Sequence, residues 1–573
     1  MNAEKILEGL DAQQREAAEA LLGPVCILAG AGTGKTRALT HRIAYGVATG
    51  AFDPERMMAL TFTTRAAGEL RTRLRALGAG GVSARTFHAA ALAQLNFFWP
   101  RVIGGSTPRI LAAKGPAIAH AAESVRMKLD TAVLRDVAAE IEWRKVSQLT
   151  LEQYGRAAAS RPMPNDISVD TMVALHEGYE RIKDERRQID FEDVLLATAG
   201  MLEDEPWVAE QVRAQYRFFV VDEYQDVSPL QQALLDLWLG QRRELCVVGD
   251  ASQTIYSFTG ATSDYLLGFA SRYPGARVVR LESNYRSARP VIDLANRLMR
   301  GRAGALELTP AVASAPRAEV PAPVAYDTDA DEARAVAAAI AEEIANGTRP
   351  EQIAVLYRVN AQGPHLQTAI AQAGVSVREL GGTKFFDLDV VKRAILELGS
   401  VAREQRATPE PPLFQSVSDV LRANGWSTEA PEGAGAVRER WEALNAIIEL
   451  ADQAPEGTTL AAFVAELRDR QSAQHEPTLS SVVLSTLHSA KGLEWDSVYL
   501  VGLSEGLVPV SHARGLAGID EERRLLYVGI TRARRRLSLS WSRAGLRGQR
   551  REPSRFLAEL GTSTRDAGPR APR

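Results

Sequence analysis

The stretch VCILAGAGTGKT, residues 25–36, decides how this chain is read. An apolar, partly β-branched run at 25–28 leads into a glycine-rich loop ending in Lys35 and Thr36, after which Leu39, Ile43 and Val47 recur at helical spacing. The order is strand, phosphate loop, helix. Small residues at Ala29, Gly30, Ala31, Gly32 and Gly34, with Thr33 inside the turn, let backbone N–H groups approach phosphate oxygens closely. Lys35 supplies positive charge and Thr36 a hydroxyl for Mg²⁺. Ala29 stands where the usual pattern has Gly, so the loop by itself is an incomplete match whose meaning depends on partners further along the chain.

Size and composition set the frame for those partners. With 573 residues, 45% hydrophobic and 24% charged, the chain has the make-up of a soluble protein of roughly three or four domains. A net charge of −3 argues neither for nor against nucleic acid, because a local basic groove can sit on an acidic whole. Cys26 and Cys246 each lie in an apolar run, far from any Cys/His companion at metal spacing, and read as buried core thiols. The N-terminal segment reads as a polar amphipathic helix rather than a signal sequence, and no apolar run approaches membrane-spanning length, so the expected location is the cytoplasm.

Strand and helix signals alternate from 1 to 107, with strands expected at 25–28, 57–63 and 82–87, which implies an α/β parallel sheet. From 108 to 188 the pattern turns Ala-rich and helical without strands, a helical insertion. Strands return at 218–221 and 245–248, so the first domain is discontinuous, 1–107 with 189–288. The Pro/Ala-rich stretch at 310–323 reads as a connector opening a second α/β unit, 289–386 with 478–560. That unit shows a helix pattern at 331–346 and strands at 353–357, 482–486, 497–501 and 537–541. A second helical insertion occupies 387–477, broken by TPEPP and STEAPEGAGA, and 561–573 has too few apolar groups to bury and is expected to be a disordered tail.

Five further segments carry chemistry. VVDEYQD, 220–226, ends a strand run with two carboxylates: Asp222 can hold Mg²⁺ through water, and Glu223 can activate the water that attacks a γ-phosphate. Alone, such a pair is also what a solvated turn carries. In VVGDASQTIYSF, 247–258, Gln253 offers a neutral amide for sensing a phosphate oxygen, and Tyr256 and Phe258 are candidate stacking platforms. NYRS at 284–287 and ITRARRR at 530–536 present Arg286 and Arg532, which can stabilise charge on a transferring phosphoryl group, although an isolated arginine is commonly just a surface ion pair. STLHSAKGLEWD, 485–496, sets hydroxyls, His488 and Lys491 in a turn that can bind a phosphate backbone.

Together and in this order, the segments from LDAQQREA at 10–17 to PSRFL at 553–557 resemble superfamily 1A helicases of the UvrD/PcrA/Rep family. The resemblance implies an α/β fold of two RecA-like parallel-sheet domains of P-loop NTPase type, each interrupted by a helical insertion, with an ATP site in the cleft between them. It implies ATP and Mg²⁺ as cofactors and 3′ to 5′ translocation along single-stranded DNA coupled to unwinding of 3′-tailed duplex DNA, in repair or recombination alongside repair-complex proteins. By motif it assigns Gln14 to the adenine edge, Arg37 and Tyr285 to its faces and Glu494 to the ribose, and keeps Lys35, Thr36, Asp222, Glu223, Gln253, Arg286 and Arg532 in the roles above. For DNA it points to Phe62, Thr63, His88, Tyr256, Phe258, Arg358, Asn360 and His488.

The chain departs from the family pattern in places. Phe258 and Thr259 stand where many relatives have Trp and Arg, giving a smaller stacking platform and one positive contact fewer. Thr64 and Arg65 replace the usual Asn and Lys, Leu388 replaces a frequent Arg, and the second insertion is short. These features resemble a shorter actinobacterial branch of UvrD-like proteins, without the cysteine-bearing C-terminal module that some of its members carry. The alternative function is a motor subunit of a larger helicase–nuclease complex, and another is a DNA-binding protein using ATP only as a switch, against which Glu223 and both arginines weigh. Stacking and phosphate contacts do not distinguish the sugar, so RNA stays open as substrate.

Overall fold

In the computed structural model, which describes residues 3–159, 163–164, 167–311, 320–380, 385–404, 411–429, 436–473, 480–546, 548–561 and 564–567, the opening apolar run forms the strand Val25–Ala29. It lies inside a six-stranded parallel sheet ordered Ser83–Thr86, Met57–Thr61, Phe218–Val221, Leu245–Gly249, Val25–Ala29, Arg277–Leu281. The central strands are continuous apolar runs because both faces of the sheet are covered. Successive side chains divide between the two faces: Met58, Leu60 and Cys26 pack with Phe87, Leu95 and Trp238, while Met57, Ala59 and Cys246 pack with Leu39 and Ile43. Both cysteines are free and buried, and burial pushes the Cys26 thiol up to about 12.

Contacts divide the chain into two units, Met1–Gly30 with Gly34–Leu281, and Ala31–Thr33 with Glu282–Arg573. Within the first, helices Gly115–Ser124, Thr131–Val146, Leu151–Ala158 and Val169–Glu185 enclose their own core of Ile118, Val137, Ile141, Tyr154, Leu175 and Tyr179. A two-residue parallel pair, Arg109–Ile110 with Gln188–Ile189, brings the ends of this insertion together. The strand-free reading of 108–188 lacks it, since two residues carry no periodicity. Beside the pair, Lys145 and Lys183 are buried against Asp190 and Asp193: Lys145 Nζ lies 2.7 Å from Asp190 Oδ2 and 2.6 Å from Asp193 Oδ1, and Lys183 pairs with both carboxylates. The same two aspartates form the capping box of helix Phe191–Asp204.

The second unit holds a seven-stranded parallel sheet among the described residues, ordered Val377–Glu379, Val482–Thr486, Ile353–Tyr357, Trp495–Leu500, Ala533–Ala544, Val324–Thr328, Arg565–Asp566. Helices Asp389–Glu404, Leu413–Ala423, Ala436–Asp452 and Leu460–Ala473 contribute to a separate core around Leu398, Val417, Leu444, Ile447 and Phe463, with Phe385 and Phe386 joining it.

The strands Arg277–Leu281, Val324–Thr328 and Val377–Glu379 are among those absent from the sequence reading. Each is short or half-exposed, so its side chains give no sustained apolar signal. Part of the expected disordered tail is also paired: Arg565 N donates to Pro323 O at 2.8 Å and Ala567 N to Ala325 O at 3.0 Å. Backbone pairing at a sheet edge needs no apolar side chains, which is why composition misses it. The connector at 310–323, TPEPP, STEAPEGAGA and the tail lie partly outside the described residues. No helix among the described residues is long and apolar enough to cross a membrane.

Candidate functional site

The loop after Val25–Ala29 takes the shape that its glycines allow. Gly32 and Gly34 have φ of 71° and 80°, a region costly for residues with a Cβ. Helix Lys35–Ala48 starts at Gly34 with no side-chain cap, whereas Thr63, Thr86 and Asp190 cap the helices that follow them. Its first N–H groups are therefore not taken up by a capping side chain, the arrangement an incoming phosphate uses. A Cβ at Gly34 would lie 2.7 Å from Gln14 Nε2, so the side chain of buried Gln14 reaches the loop. Arg37, exposed on the next turn, donates from Nη2 to Gly9 O at 2.9 Å.

Asp222 and Glu223 follow strand Phe218–Val221, two positions along the sheet from the loop strand. Lys35 Nζ lies 3.3 Å from Glu223 Oε1. Burial opposes the charge on Lys35, yet Glu223, Asp250 and Asp222 together hold its pKa above the usual value. Asp222 is pushed up to about 7 by burial and by Glu223 beside it. Glu223 adopts φ 52°. The other non-glycine positive-φ residues among those described, Arg126, Gln148 and Arg187, follow helices, where left-handed backbone is routine. Glu223 instead stands at a strand end, and its strained backbone aims the carboxylate back at Lys35. Gln225 donates to Glu223 and accepts from Asp250 N at 3.0 Å, while Gln253 Nε2 donates to Asp250 Oδ2 at 2.7 Å. One hydrogen-bonded chain thus runs from Glu223 to Gln253.

A divalent cation fits this arrangement. Asp222 is a buried carboxylate whose pKa burial raises, and Thr36 lies in the first turn of the uncapped helix Lys35–Ala48. No group of three or more His, Cys, Asp or Glu residues among those described forms a protein-only metal cage. Thr36 and Asp222 offer one hydroxyl and one carboxylate, donors of the kind Mg²⁺ takes alongside water and phosphate oxygens.

In the second unit, Asn284 Nδ2 donates to Ala31 O at 2.7 Å and Tyr285 N to Gly32 O at 2.9 Å. The Tyr285 ring is half-exposed. Arg286 pairs with Glu494 and its Nη1 reaches Thr531 O at 3.4 Å. Against the opposing effect of burial, Arg286 and Arg534 hold the Glu494 carboxyl below its usual range. Arg532 is buried, with Nε on Val528 O at 2.9 Å and Nη1 on Leu493 O at 3.0 Å. Both arginines and Glu494 therefore gather at the edge where Trp495 pairs with Ala533.

The residues assigned to DNA follow the carboxyl ends of parallel strands. In the first unit Phe62 and Thr63 follow Met57–Thr61, His88 follows Ser83–Thr86, and Tyr256 and Phe258 follow Leu245–Gly249, all at the edge that carries Lys35 and Asp222. Phe62 packs on buried Phe87 at 6.3 Å and Thr63 caps a helix. Tyr256 meets Phe258 edge-on at 6.1 Å, leaving Phe258 58% exposed. Burial and nearby Lys114 lower the His88 pKa. In the second unit Arg358 and exposed Asn360 follow Ile353–Tyr357, and His488 follows Val482–Thr486, at the edge opposite Glu494 and Arg532. Burial, then Arg358 and Lys491, depress His488 to about 4.

Sequence reasoning passed over two neighbours of this site. Phe191 is 52% exposed and meets His88 edge-on at 5.9 Å. Its signal was an aromatic directly after a helix cap, a place where an apolar residue finds little to cover it. Asn284, inside NYRS, is buried and accepts through Oδ1 from Arg286 N at 2.9 Å and Ser287 N at 2.8 Å. A buried Asn among turn residues carries no local pattern that separates it from any other turn.

A parallel sheet whose phosphate loop and carboxylate pair share one edge defines the class, a P-loop nucleotide-binding protein of α/β type. Residues 10–274 match the UvrD/REP helicase N-terminal domain, and residues 279–409 and 424–544 match the UvrD-like helicase C-terminal domain. The chain belongs to the UvrD/REP helicase family. It is 46% identical to the ATP-dependent DNA helicase UvrD2 of Mycobacterium tuberculosis (strain ATCC 25618 / H37Rv), over 98% of this chain and 83% of the relative. It is 29% identical to the ATP-dependent DNA helicase PcrA of Leuconostoc citreum, over 98% of this chain and 86% of that protein.

Proposed function

We propose that this chain is an ATP-dependent DNA helicase that moves 3′ to 5′ along single-stranded DNA and separates 3′-tailed duplexes, in repair or recombination. The observation that carries the reading is the shared edge of the first sheet: the Lys35–Glu223–Asp222 group and the aromatic side chains of Phe62, Tyr256 and Phe258 stand at the ends of neighbouring parallel strands. Hydrolysis at one group of strand ends therefore sits on the same rigid element as the base platforms.

The geometry supports the following roles. Lys35 gives up its contact with Glu223 to a phosphate, and the released Glu223 orients and deprotonates the attacking water. Thr36 and Asp222 would hold Mg²⁺, which neutralises phosphate charge when bound. Gln253, linked to Glu223 through Asp250 and Gln225, senses whether the γ-phosphate is present. Arg286 and Arg532 are assigned the transferring phosphoryl oxygens, Gln14, Arg37 and Tyr285 the adenine, and Glu494 the ribose. Before nucleotide arrives, Arg286 and Glu494 satisfy each other and Arg532 rests on carbonyls, so each must exchange partners to act. Phe62, Phe258, Tyr256 and Phe191 offer stacking faces, and Thr63, His88, Arg358, Asn360 and His488 offer polar contacts to the strand.

Glu223→Gln keeps the shape and removes the base. Hydrolysis stimulated by single-stranded DNA is expected to fall by about 10³-fold while ATP still binds. Unchanged turnover sinks the assignment. Comparing stimulation by DNA and RNA oligonucleotides of one sequence tests the choice of DNA.

A further inference from the structure

The bidentate pair between Arg358 and Glu522 stands at an element that the proposed mechanism leaves unused. Arg358 Nε lies 3.1 Å from each Glu522 carboxylate oxygen, and Nη2 lies 2.7 Å from Oε1. Glu522 is 5% exposed, and its Oε2 also accepts from Val510 N at 3.2 Å. The turn that presents Arg358 is fixed as well, because Gln362 Oε1 accepts from Arg358 N and Val359 N at 3.0 Å each. A guanidinium assigned to a DNA phosphate is thus already neutralised by a carboxylate of matching fork geometry. A phosphate arriving at Arg358 has to displace that carboxylate or share with it.

Glu522 does not stand alone. It lies in helix Gly515–Ile530, whose last turn leads directly into Arg532. Thr531 Oγ1 bonds back to Tyr527 O at 2.9 Å, and Arg532 Nε to Val528 O at 2.9 Å, so Arg532 is fastened to the helix end. From Glu522 to the helix end at Ile530 is about 12 Å, and this buried half of the helix shifts as a body rather than bending. The carboxylate at mid-helix and the assigned γ-phosphate arginine just beyond the helix end therefore move together.

We infer that Glu522 is a positioning residue that couples DNA to ATP hydrolysis: it holds Arg358 until a DNA phosphate takes that guanidinium, and its helix then repositions Arg532. The inference rests on the roles of Arg358 and Arg532 proposed above and adds the link between them.

The test uses the full chain with Glu522→Gln, Arg358→Gln and the double variant. Binding of a labelled single-stranded oligonucleotide is read by fluorescence anisotropy across a salt series, and ATP hydrolysis is read with and without DNA. The amide in Glu522→Gln retains the shape and can still accept from Val510 N, but it leaves Arg358 uncompensated. This variant is expected to bind DNA about 5-fold more tightly, with a salt slope steeper by about 0.7. The ratio of DNA-stimulated to unstimulated hydrolysis is expected to fall about 10-fold. In the Arg358→Gln background the gain in affinity disappears. Glu522→Asp, too short for the bidentate contact, moves both readouts the same way by less, so the test survives if the amide variant folds poorly. A carboxylate with a merely structural role would weaken DNA binding along with everything else. Unchanged or weaker DNA binding by both variants, or an unchanged stimulation ratio, overturns the inference. Wild-type hydrolysis that ignores DNA overturns the helicase reading, and this coupling with it.

Discussion

Gly32 shows how one atom decides the phosphate loop. Its φ is 71°, and a Cβ there would lie 2.6 Å from Asn284 Nδ2 and 2.8 Å from Arg286 Cβ. Gly32→Ala is therefore expected to distort the loop and to weaken ATP binding at least about 10-fold with the fold intact; isothermal titration with ATP and a thermal unfolding curve check both halves. Glu332 is a second residue with a measurable signature. It is fully buried, accepting from Gly502 N at 2.9 Å and from Ser540 Oγ at 2.5 Å, and burial pushes it from an ordinary 4.5 up to about 7. A carboxyl with a raised folded-state pKa binds its proton more tightly in the folded chain. Its stabilising contribution is complete below 4.5 and is lost as pH rises through about 7. Glu332→Gln removes that dependence, so thermal unfolding of the wild type should drop more between about pH 5 and about pH 8 than that of the variant. Parallel profiles would count against it. At this scale the sequence told much about Lys35, Asp222 and Glu223, because loop and strand-end positions have strong local signatures. It said nothing of Asn284, Glu522 or the bend at Glu223, since contacts between distant residues leave no spacing to read.

Among elements, the best-defined joint is where the first insertion meets helix Phe191–Asp204. Lys145 and Lys183 are almost wholly buried against Asp190 and Asp193, and Tyr179 OH donates to Asp190 Oδ2 at 2.9 Å. Removing one partner strands a buried charge, so Asp190→Ala is expected to destabilise the chain by about 3–5 kcal/mol, read by chemical denaturation. Helix Thr131–Val146 continues from Lys145 to Val146, whose Cγ2 lies where a Cβ on Gly260 would meet it at 2.7 Å. The insertion thus backs the turn that bears Phe258. On that turn, Phe258→Ala should weaken single-stranded DNA binding by about 1–3 kcal/mol, and Phe258→Trp should strengthen it, in anisotropy titrations. Periodicity revealed the long insertion helices and the central strands. The edge strands Arg277–Leu281 and Val377–Glu379 escaped it because edges are held by backbone pairing rather than by apolar side chains.

For the whole molecule, the order of motifs rather than any one of them made the function legible. A phosphate loop with Ala29 promised only a nucleotide; with carboxylates at the end of a strand two positions along the sheet, Gln253, and the arginines Arg286 and Arg532, the motif order came to resemble the helicase family. The two α/β sheets emerged from the same alternation of strands and helices, and the parallel ladders bear that reading out. Polarity lies beyond side-chain chemistry, since stacking and phosphate contacts are the same whichever way the strand runs. The direct measurement is strand displacement by the purified chain with ATP and Mg²⁺, on duplexes carrying a 3′ or a 5′ single-stranded tail, with Glu223→Gln as the inactive control. The account predicts release of the strand from the 3′-tailed duplex alone and none by the variant. Release from the 5′-tailed duplex alone, or equal release by Glu223→Gln, contradicts it.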